Sequence, residues 1–474
     1  MNNKTKIVAT LGPASNTVET ISRLIEAGLN IARINFSHGD PTVHAALIEN
    51  IRKAEAVTGK QIVLMADLPG PKMRIGELET DFIVLSNGDK IDLTNEKIKG
   101  NNSRVYVSYS KLHDCVNLGD KIYLNDGSIE LVVTAKKEKD ITCEVLVGGE
   151  LRPRKGLNIP NINLGISAFT PHDFECLKFA SAHGIDAVSQ SFVENEVDIK
   201  LLRVAASGID YHPFIIAKIE RSNALLHLDA ILEESDGLMV ARGDLGVEVP
   251  IEQMAIIQKE IIRKANFRGK PVITATQMLE SMICCNRPTR AEASDVANAI
   301  LDGTDCVMLS AESAAGKFPQ ESVEMLARIA QTVEPHQSAH YRNEIIDGVA
   351  ASPSLSIFDI LSFSAEETVE HLDPAAVFIP SRTGGTVRKL SRYRLAPWII
   401  AISKNKEVCQ GLKFSYGVKP ICLEEDPESW SDFVRTWVKE NSLSGEYAVI
   451  IQGPSFKNPD RNHSMEIIKL TAVK

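Results

Sequence analysis

The sequence lacks the cysteine patterns of a disulfide-stapled or zinc-binding protein. Its eight cysteines are scattered over 474 residues and no Cys-x-x-Cys spacing occurs, which argues against a disulfide framework. The chain also lacks any run near the ~18 apolar residues of a membrane-spanning helix, and the apolar part of the N-terminal segment MNNKTKIVATLGPAS is too short for a signal peptide. We therefore expect a cytoplasmic protein with no membrane contact.

An excess of positive charge is also missing. The chain has 52 Lys and Arg residues against 62 Asp and Glu residues, a net charge of −10. A general attraction to nucleic acid is therefore not expected, and an anionic substrate would have to be held by a local group of cations.

The common nucleotide-binding motifs are absent. No Gly-x-Gly-x-x-Gly follows the first predicted strand, and the segment ESAAGKF has neither the earlier glycine nor the following Ser or Thr of a Walker A loop. A nucleotide would have to be bound in another way, between the edge of one domain and a mobile second one.

What the sequence does contain is a repeating pattern of strands and helices. With 44% apolar and 24% charged residues the composition is that of a globular protein, and the length suggests two or three domains. Eight short apolar runs alternate with helical patterns, at residues 6–12, 30–37, 61–68, 186–193, 213–220, 236–244, 271–277 and 305–313. Eight repeats predict an α/β fold closed into a (β/α)8 TIM barrel, with an open doubly wound sheet as the alternative.

Several helix ends can be predicted from capping residues. Asn16 and Gly28 are expected to cap and to end the first helix, Thr170 precedes a proline at a helix start, and Thr289 opens the capping box TRAE.

The alternation fails in two places, which predicts three domains. Residues 71–162 show short alternating runs typical of antiparallel strands, and we interpret them as an inserted all-β lid, a β-barrel, at the rim where barrel active sites lie. A new α/β pattern begins near residue 339. The predicted division is a catalytic barrel (1–70 and 163–338), the lid (71–162) and a C-terminal α/β effector domain (339–474).

Polar side chains follow most of the predicted barrel strands. Residues two apart share one face of a strand, so pairs such as Lys218 with Glu220 are expected to point the same way. The other sets are Arg33, Asn35 and Ser37; Arg242 and Asp244; Thr274 and Thr276; Ser310 and Glu312. Each set alone has an ordinary structural explanation, but buried barrel strands should be continuously apolar, so the collection predicts an active site.

The residue types in this collection limit the chemistry. Glu220 and Asp244 offer the hard oxygen ligands that Mg²⁺ or Mn²⁺ prefers. The surrounding cations are Arg33, Lys72, Arg74, Lys218 and Arg242. A divalent metal with several cations and no nucleophile–base pair is typical of phosphoryl transfer, which depends on positioning and charge neutralisation.

Together these segments resemble one enzyme family. The motifs TLGPAS, RINFSHG, DLPGPKMRIG, KIER, DGLMVARGDLGVEVP, ITATQMLESM, RPTRAEASDVANAILDGTDCVMLSAESAAGKFP and SRTGGT are similar to those of pyruvate kinase. The resemblance covers nearly the whole chain. It implies a glycolytic phosphotransferase that converts phosphoenolpyruvate and ADP to pyruvate and ATP, uses Mg²⁺ or Mn²⁺, carries a mobile lid and an effector domain, and forms a homotetramer.

The same resemblance implies a role for individual residues. Glu220 and Asp244 would hold the metal, and Lys218 would neutralise the moving phosphoryl group. Catalysis would also involve Arg33, Thr276 and Ser310; the substrate would contact Lys218, Gly243, Asp244, Thr276 and Ser191; the nucleotide would contact Arg33, Arg74, Lys155 and His38.

Many family members also require K⁺, and here the sequence departs from them. The resemblance implies a monovalent-cation site at Asn35, Ser37, Asp67 and Leu68, but this chain carries Leu68 and Lys72 where K⁺-dependent members tend to have Thr and Glu. We hypothesise that the Lys72 ammonium replaces K⁺, which would then not be required. The alternative is a solvated hinge lysine.

A phosphorylated activator is expected in the C-terminal domain. Ser381, Arg382, Thr383, Gly384, Gly385 and Thr386 form a turn at a helix start that resembles the family's effector loop. A later loop lacks the tryptophan and glycines of typical fructose 1,6-bisphosphate sites, and its Lys457, Arg461 and His463 are either anion contacts or surface charges.

Two other functions fit part of the pattern. A metal-dependent lyase acting on phosphoenolpyruvate or a 2-oxo acid would share the barrel and the metal, but it would not need the nucleotide cations Arg33, Arg74 and Lys155. A sugar-phosphate sensor without turnover would not need Lys218 together with a metal pair.

Overall fold

Eight parallel strands close into a barrel. The computed structural model describes residues 3–160, 162, 165–337, 339–351, 355–454 and 462–470. Barrel strands 1 to 8 are Lys6–Thr10, Leu29–Asn35, Val63–Leu68, Ala187–Gln190, Phe214–Ile219, Gly237–Ala241, Val272–Ala275 and Cys306–Leu309. Each pairs with the next, and strand 8 pairs with strand 1. The predicted barrel is confirmed, and the open doubly wound sheet is wrong.

Helices surround the strands, and most predicted caps are present. The helices of this part are Val18–Ala27, Pro41–Thr58, Pro171–Ala182, Glu196–Ser207, Ser222–Leu226, Leu228–Glu234, Arg242–Glu248, Met254–Phe267, Arg290–Leu301, Ala311–Ala314 and Pro319–Val333, with short 3₁₀ turns at Ile251–Gln253, Glu280–Ile283 and Glu334–His336. Thr170 and Thr289 form capping boxes, and Gly28 ends the first helix at φ 122°. The prediction for Asn16 is wrong: Thr17 caps, because its hydroxyl accepts the Thr20 N–H three residues on.

Apolar side chains fill the inside of the barrel. Val8, Ile31, Met65 and Ile216 come from four different strands and belong to one buried cluster. A second, larger cluster lies between the strands and the helices. Strands that are buried on both faces must be nearly continuously apolar, which is why the runs were recognisable in the sequence.

The chain between barrel strands 3 and 4 is an all-β insert with its own core. Its strands are Ile83–Leu85, Lys90–Thr94, Arg104–Tyr106, Lys121–Leu124, Ile129–Lys136, Asp140–Val147, Gly149–Leu151 and Leu157–Asn158, with a short helix at Leu112–Cys115. Six strands form one sheet and two form another. The chain enters the insert at Gly70, whose φ is 64° and whose N–H donates to Asp173 Oδ1 at 3.0 Å. The hinge is therefore anchored to the barrel.

The C-terminal part is a separate α/β unit. Its helices are Ala339–Ala350, Ile357–Leu372, Gly385–Ser391, Lys406–Leu412 and Trp430–Glu440, and its strands are Ala376–Pro380, Trp398–Ser403, Val418–Cys422, Tyr447–Gln452 and Ser464–Lys469. Four strands are parallel, and the last pairs antiparallel at the edge. The predicted α/β domain is confirmed. The predicted bounds of the second barrel segment, 163 and 338, lie outside the described residues.

A buried ion pair attaches this unit to the barrel at the end opposite the lid. Arg394 reaches Asp305 through both guanidinium nitrogens, at 2.9 and 3.0 Å, and its Nη2 also donates to Asn266 Oδ1. Burial favours neutral groups, but the Asp305 carboxylate holds the pKa of Arg394 above its usual range. In the described part of the chain, the helices are too short or too polar to cross a membrane.

Candidate active site

The barrel strands end earlier than the sequence pattern suggests. Strand 6 stops at Ala241, so Arg242 and Asp244 lie in the helix Arg242–Glu248, and strand 7 stops at Ala275, just before Thr276. The prediction that these pairs share a strand face is wrong. At a barrel rim the backbone turns from the strands into the loops that form the site, so the polar residues there are no longer paired with neighbouring strands.

The Asp67 carboxylate, at the end of strand 3, connects side chains from three other strands. Arg33 of strand 2 donates from Nε at 3.1 Å, and Ser189 of strand 4 donates at 2.6 Å. Lys218 of strand 5 lies 3.2 Å away. Burial alone would raise the pKa of Asp67, but Arg33 and Lys218 outweigh it and lower the pKa to about 2. Asp67 is therefore ionised in the folded protein.

Lys218 is held by three acceptors. Its Nζ lies 2.8 Å from Glu220 Oε1 and donates to Ser191 Oγ at 2.6 Å, in addition to its contact with Asp67. Burial opposes the charged form, but the two carboxylates raise the pKa of Lys218 above its usual value. The ammonium is thus charged and held in position by its three acceptors.

Glu220, which follows strand 5, and Asp244, in the helix Arg242–Glu248, are the two candidate metal ligands. Glu220 Oε2 accepts the N–H of Phe192 at 2.7 Å, and Phe192 adopts a left-handed backbone with φ 59°. Burial raises the pKa of Glu220, and the charge of Asp244 acts in the same direction, whereas the Lys218 ammonium opposes them without cancelling the rise. A hard divalent cation bound by Glu220 and Asp244 would stabilise the ionised form of the Glu220 carboxyl.

The protein would supply only part of such a metal's ligands. Among the described residues, no three His, Cys, Asp or Glu side chains are grouped as a complete metal site. Two carboxylates with oxygen donors from substrate and water are typical of Mg²⁺, which keeps several waters and binds substrate phosphates. The residues present therefore fit Mg²⁺ or Mn²⁺.

Thr276 lies next to Gly243, at the start of the Asp244 helix. The Gly243 N–H donates to Thr276 Oγ1 at 2.7 Å, and Thr276 itself has φ 65°. Arg242 Nη2 donates to the Thr276 carbonyl at 2.7 Å, and its Nη1 pairs with Asp295 at 2.6 Å. Arg242 thus holds the loop and is not one of the site's available cations.

The predicted pair Ser310 and Glu312 does not share a strand face either, because strand 8 ends at Leu309. The Ser310 N–H donates to Glu312 Oε2 at 2.7 Å, and the other carboxylate oxygen accepts the Leu279 N–H at 3.2 Å. Glu312 is buried and joins two rim loops, whereas Ser310 is partly exposed. Thr274 is buried and bonds to Thr304, so it does not belong to the site.

A group of cations lies where the hinge and lid approach strand 2. The pKa of His38 is lowered by partial burial and then by Arg74, Lys72 and Arg33, which places four basic side chains near one another. Arg74 Nη1 donates to the Arg154 carbonyl at 2.9 Å. Lys155 follows directly in the chain, and its carbonyl accepts the N–H of Ile75 at 3.0 Å. Clustered cations favour an anion.

The predicted monovalent-cation residues are only partly assembled. Asn35 Oδ1 accepts the Ser37 N–H at 3.1 Å, and the Leu68 side chain is fully buried. A Cβ added at Gly156 would lie 3.5 Å from Lys72 Cε, so Lys72 runs along the lid. In the parts of the chain that are described, Lys72 forms no ion pair with Asp67, whose oxygens are occupied by Arg33, Ser189 and Lys218.

Three residues that complete the site were missed by the sequence reasoning. Ser189, Thr10 and Phe192 orient Asp67, Arg33 and Glu220 respectively. Ser189 had a usable signal, because it stands two residues before Ser191 on the same face of a strand. The others had none, because an ordinary Thr and a Phe with positive φ cannot be distinguished in sequence.

The predicted effector loop borders a cavity of about 730 Å³ in the C-terminal unit. Gly384 has φ 79° and donates its N–H to Ser381 Oγ at 3.0 Å, and Arg388 Nη2 donates to the Thr383 carbonyl at 2.9 Å. Gly385 and Thr386 begin the helix that follows. The cavity lining includes Ser381, Arg382, Lys404, Lys406, Glu407, Asp426, Glu428 and Trp430. Basic and acidic groups both contribute to it.

The described residues include only part of the later loop. Lys457 and Arg461 lie outside the described residues. His463 packs edge-on against Phe358, with ring centroids 5.4 Å apart.

Comparison with known proteins identifies relatives over nearly the whole chain. A family model described as the pyruvate kinase barrel domain matches residues 2–323, and one described as the pyruvate kinase alpha/beta domain matches residues 359–468. The pyruvate kinase of Thermococcus litoralis is 46% identical over 426 residues, 90% of each chain. That of Geobacillus stearothermophilus is 43% identical over 421 residues, 88% of this chain and 71% of the relative.

A solved structure extends the similarity to three dimensions. A crystal structure of a pyruvate kinase from Cryptosporidium parvum matches with a TM-score of 0.92 at 36% sequence identity. The match covers 99% of this chain and 96% of that chain.

The lowered pKa of Asp67 leads to a pH prediction. The pKa is about 2 in the folded protein and near 3.8 when unperturbed, so the contribution to stability is complete above pH ~4 and is lost as the pH falls towards 2. Asp67→Asn should lower the free energy of unfolding at pH 7 by about 2 kcal/mol or more. The difference in the free energy of unfolding between the variant and the wild type, measured by urea unfolding, should narrow as the pH falls from 5 to 3. Asp81→Asn, at an exposed position, is the control; a gap independent of pH would contradict the assignment.

Proposed function

This chain belongs to the pyruvate kinase family, and we propose that the rim site around Asp67, Lys218 and Glu220 is where it works. The family consists of phosphotransferases of glycolysis, which move the phosphoryl group of phosphoenolpyruvate to ADP and so form pyruvate and ATP. Membership excludes the lyase alternative, since the relatives are pyruvate kinases over about 90% of the chain.

The observation that carries the proposal is the fixed, charged Lys218. Its ammonium lies between Asp67, Glu220 and Ser191 at the rim, beside the carboxylate pair and facing the region under the lid. A phosphoryl group in transfer carries charge on three oxygens, and a preorganised cation stabilises that charge at no cost in reorganisation. We assign Lys218 to this task and Ser191 to holding it beside the substrate.

The metal belongs to Glu220 and Asp244. Members of the family generally use Mg²⁺, and the raised pKa of Glu220 next to Asp244 supports the same ion, or Mn²⁺, in this chain. When bound, such an ion would neutralise negative charge on the substrate oxygens. The chain's own part is to keep Glu220 oriented through the Phe192 N–H and Asp244 oriented at the start of its helix.

Substrate and nucleotide would approach from opposite sides of Lys218. We assign the carboxylate end of the substrate to Gly243, Asp244 and Thr276. The cation group of Arg33, His38, Arg74 and Lys155 is assigned to ADP. Arg33 is paired with Asp67, but the basic side chains of this group still repel one another, and the nucleotide phosphates would offset that repulsion.

We propose that the lid closes over the substrate and the nucleotide. We assign it to residues 71–162, between barrel segments 1–70 and 163–338, with the effector domain at 339–474. The side chain of Asn158 of the insert lies close enough to Glu248, at the far end of the Asp244 helix, to counteract in part the rise in the pKa of that carboxyl, which is caused mainly by burial. A closing movement would therefore act directly on the helix that carries Asp244, and it would exclude water from the transfer.

Protonation of the enolate product is the remaining step. Thr276 Oγ1 accepts the Gly243 N–H at 2.7 Å and donates to the Ala275 carbonyl at 2.6 Å. A hydroxyl bonded in this way is suited to orienting a water. We assign Thr276 and Ser310 to positioning a water that delivers the proton.

Replacing Lys218 tests the central assignment. Lys218→Met should lower kcat by about 10²- to 10³-fold, the scale of one preorganised electrostatic group. The measurement is pyruvate formation from phosphoenolpyruvate and ADP with Mg²⁺. Lys178→Met, at an exposed position on an outer helix, is the matched control and should retain full activity.

Because the substitution leaves Asp67 and Glu220 without their cation, its Tm should be measured as well. Lys218→Arg keeps the charge and serves as a second variant. Wild-type kcat in a folded Lys218→Met protein would refute the assignment.

Lys72 is proposed to replace K⁺. The support is electrostatic: Lys72 lies close enough to His38 to lower its pKa, in the same cation group as Arg33. On lid closure the ammonium would approach the end of strand 3, where Asn35, Ser37, Asp67 and the Leu68 backbone would otherwise hold a monovalent ion.

This predicts a rate that does not need K⁺. The wild type should give the same kcat in tetramethylammonium and in potassium salts, whereas Lys72→Glu should become K⁺-dependent. Lys72→Gln is the matched neutral control, with reduced activity that K⁺ does not restore. Full K⁺ dependence of the wild type would rule out the proposal and favour a solvated hinge lysine.

A phosphorylated metabolite is proposed as an activator at residues 381–386. The support is the cavity of about 730 Å³ beside Ser381 and Arg382, with the Gly384 turn at a helix start. Acidic residues on the same wall disfavour a bisphosphate, because Asp426 and Glu428 would repel a second phosphate. We also propose a cytoplasmic homotetramer, supported by apolar side chains exposed along the helix Ile357–Leu372.

The activator prediction can be tested by cooperativity. Ribose 5-phosphate or AMP should lower the Hill coefficient for phosphoenolpyruvate more than fructose 1,6-bisphosphate does, and Arg382→Gln should remove the effect. No response to any of the three would count against the site.

A further inference from the structure

A second cavity lies at the end of the barrel opposite the active site. It has a volume of about 630 Å³ and separates the N-terminal ends of barrel strands 1 to 3 from the C-terminal unit. Its barrel wall comes from residues 3–6, 25–30 and 59–62, and its other wall from residue 398, the helix Lys406–Leu412 and the strand Val418–Cys422. None of the proposed catalytic or effector-loop residues contributes to it.

The charge of this lining is opposite to that of the chain. Five lysines contribute to the walls, Lys6, Lys60, Lys406, Lys413 and Lys419, against a single acidic residue, Glu26. The chain as a whole carries a net charge of −10. A positively charged lining is unexpected for an interface formed only by the docking of two domains, because like charges on its two sides repel each other.

The lysines that face the cavity are bonded only to uncharged partners. Lys6 Nζ donates to the Val418 carbonyl at 2.8 Å and lies 5.1 Å from the centre of the Trp398 ring. Lys413 Nζ donates to the Gln61 carbonyl at 3.0 Å. Among the described residues, neither forms an ion pair, and the same holds for the exposed Lys60 and Lys406.

Lys419 differs from the other four. Its Nζ lies 3.3 Å from Asn441 Oδ1 and 5.2 Å from the centre of the Trp437 ring, on the helix Trp430–Glu440. Its stem lines the cavity while its charge is directed elsewhere. Four ammonium groups therefore remain to act on a ligand.

Burial makes this arrangement costly as it stands. Desolvation, with a smaller contribution from the charge of Lys413, lowers the pKa of Lys6 to about 8, although Cys306, Glu334 and Asp305 act in the opposite direction. Burial also lowers the pKa of Lys413. The carboxylates of Asp186 and Glu55 act in the opposite direction on the pKa of Lys413. An anion placed between Lys6 and Lys413 would stabilise the charged form of both side chains.

We propose that this cavity is a binding site for a small polyanionic phosphate ester, separate from the active site and from the effector loop. Lysine ammonium groups are point charges that suit phosphate oxygens without requiring a planar partner. Several of them call for more than one negative charge, and the volume is within the ~300–1,000 Å³ typical of small-ligand pockets. The amides of Asn3, Asn30 and Gln410 offer partners for sugar or base groups.

A ligand in this position would connect the two units. Lys6 and Lys60 belong to the barrel, whereas Lys406 and Lys413 belong to the C-terminal unit. An anion bound by both sets adds attraction across a joint that now brings like charges together. Binding is therefore expected to stabilise the docked arrangement of the barrel and the C-terminal unit.

Calorimetric titration tests the proposal, with inorganic pyrophosphate and ribose 5-phosphate as probes and uncharged ribose as the blank. In Mg²⁺-free buffer the wild type should bind pyrophosphate with Kd below about 1 mM, and the affinity should fall with added salt. The double variant Lys60→Gln/Lys413→Gln should weaken that binding at least about tenfold, since two charged contacts are lost. The matched control is Lys439→Gln, at an exposed lysine of the same unit that does not line the cavity.

Two further variants separate this site from the other anion sites. Arg74→Gln removes a cation of the proposed nucleotide group, and Arg382→Gln removes one from the effector loop. The binding component that is lost in the double variant should persist in both. If it persists in the double variant and disappears in Arg74→Gln or Arg382→Gln, the ligand binds elsewhere and the proposal is wrong.

Proton uptake provides a second measurement that does not depend on affinity. An anion next to Lys6 raises the pKa of that ammonium, so binding at pH 8 should take up as much as about half a proton, seen as a heat that varies with the ionisation enthalpy of the buffer. Lys6→Met should reduce this uptake, leaving only the part contributed by Lys413. Absence of binding by the wild type at 10 mM of either probe, where ~10 mM is a weak-binding limit, or uptake unchanged in Lys6→Met, would overturn the proposal.

Discussion

The catalytic rim depends on one buried carboxylate, that of Asp67. It lies at the end of barrel strand 3 and is bonded by Arg33, Ser189 and Lys218, which come from strands 2, 4 and 5. These strands are neighbours in the barrel, so a single charge aligns four consecutive strand ends. Removing one member of such a network leaves a buried charge without its partner, which typically costs about 3–5 kcal/mol. The network is therefore a constraint on stability and, in the function that we propose, on catalysis as well.

The proposed site has two parts: one is held in place by the barrel, and the other is carried by the insert, which we propose to move. Lys218, Glu220 and Thr276 are set by the barrel, through Asp67, the Phe192 N–H and the Gly243 N–H. The cations Arg74 and Lys155 are carried by the insert beyond Gly70. Charge stabilisation requires the first group to be rigid, whereas entry and exit of substrates require the second to move. The fold meets both needs by attaching an independent β unit at the rim.

The barrel and the residue types at its rim were predictable, because both depend on local pattern. Strands buried on both faces are apolar along their length, and polar residues such as Lys218 and Glu220 interrupt that pattern visibly. The ends of strands were not predictable: Arg242 and Asp244 continue an apolar run in sequence but belong to a helix. Where the backbone turns, the Arg242 guanidinium binds the Thr276 carbonyl, and that contact joins two segments 34 residues apart, which no local pattern can predict.

The sequence by itself determined the barrel with its two added units, the family, and the charged residues available at the rim, since periodicity, capping and motif spacing are local properties. Only the tertiary structure decided what each charge does. Arg33 and Arg242 are the same residue type at the ends of two predicted strands, the second and the sixth, yet one binds Asp67 in the site and the other holds a loop. The lysines that line the second cavity are far apart in sequence, from Lys6 to Lys419, and only domain docking brings them together. Coulombic interactions depend on distance and burial, and neither is defined until the chain has folded.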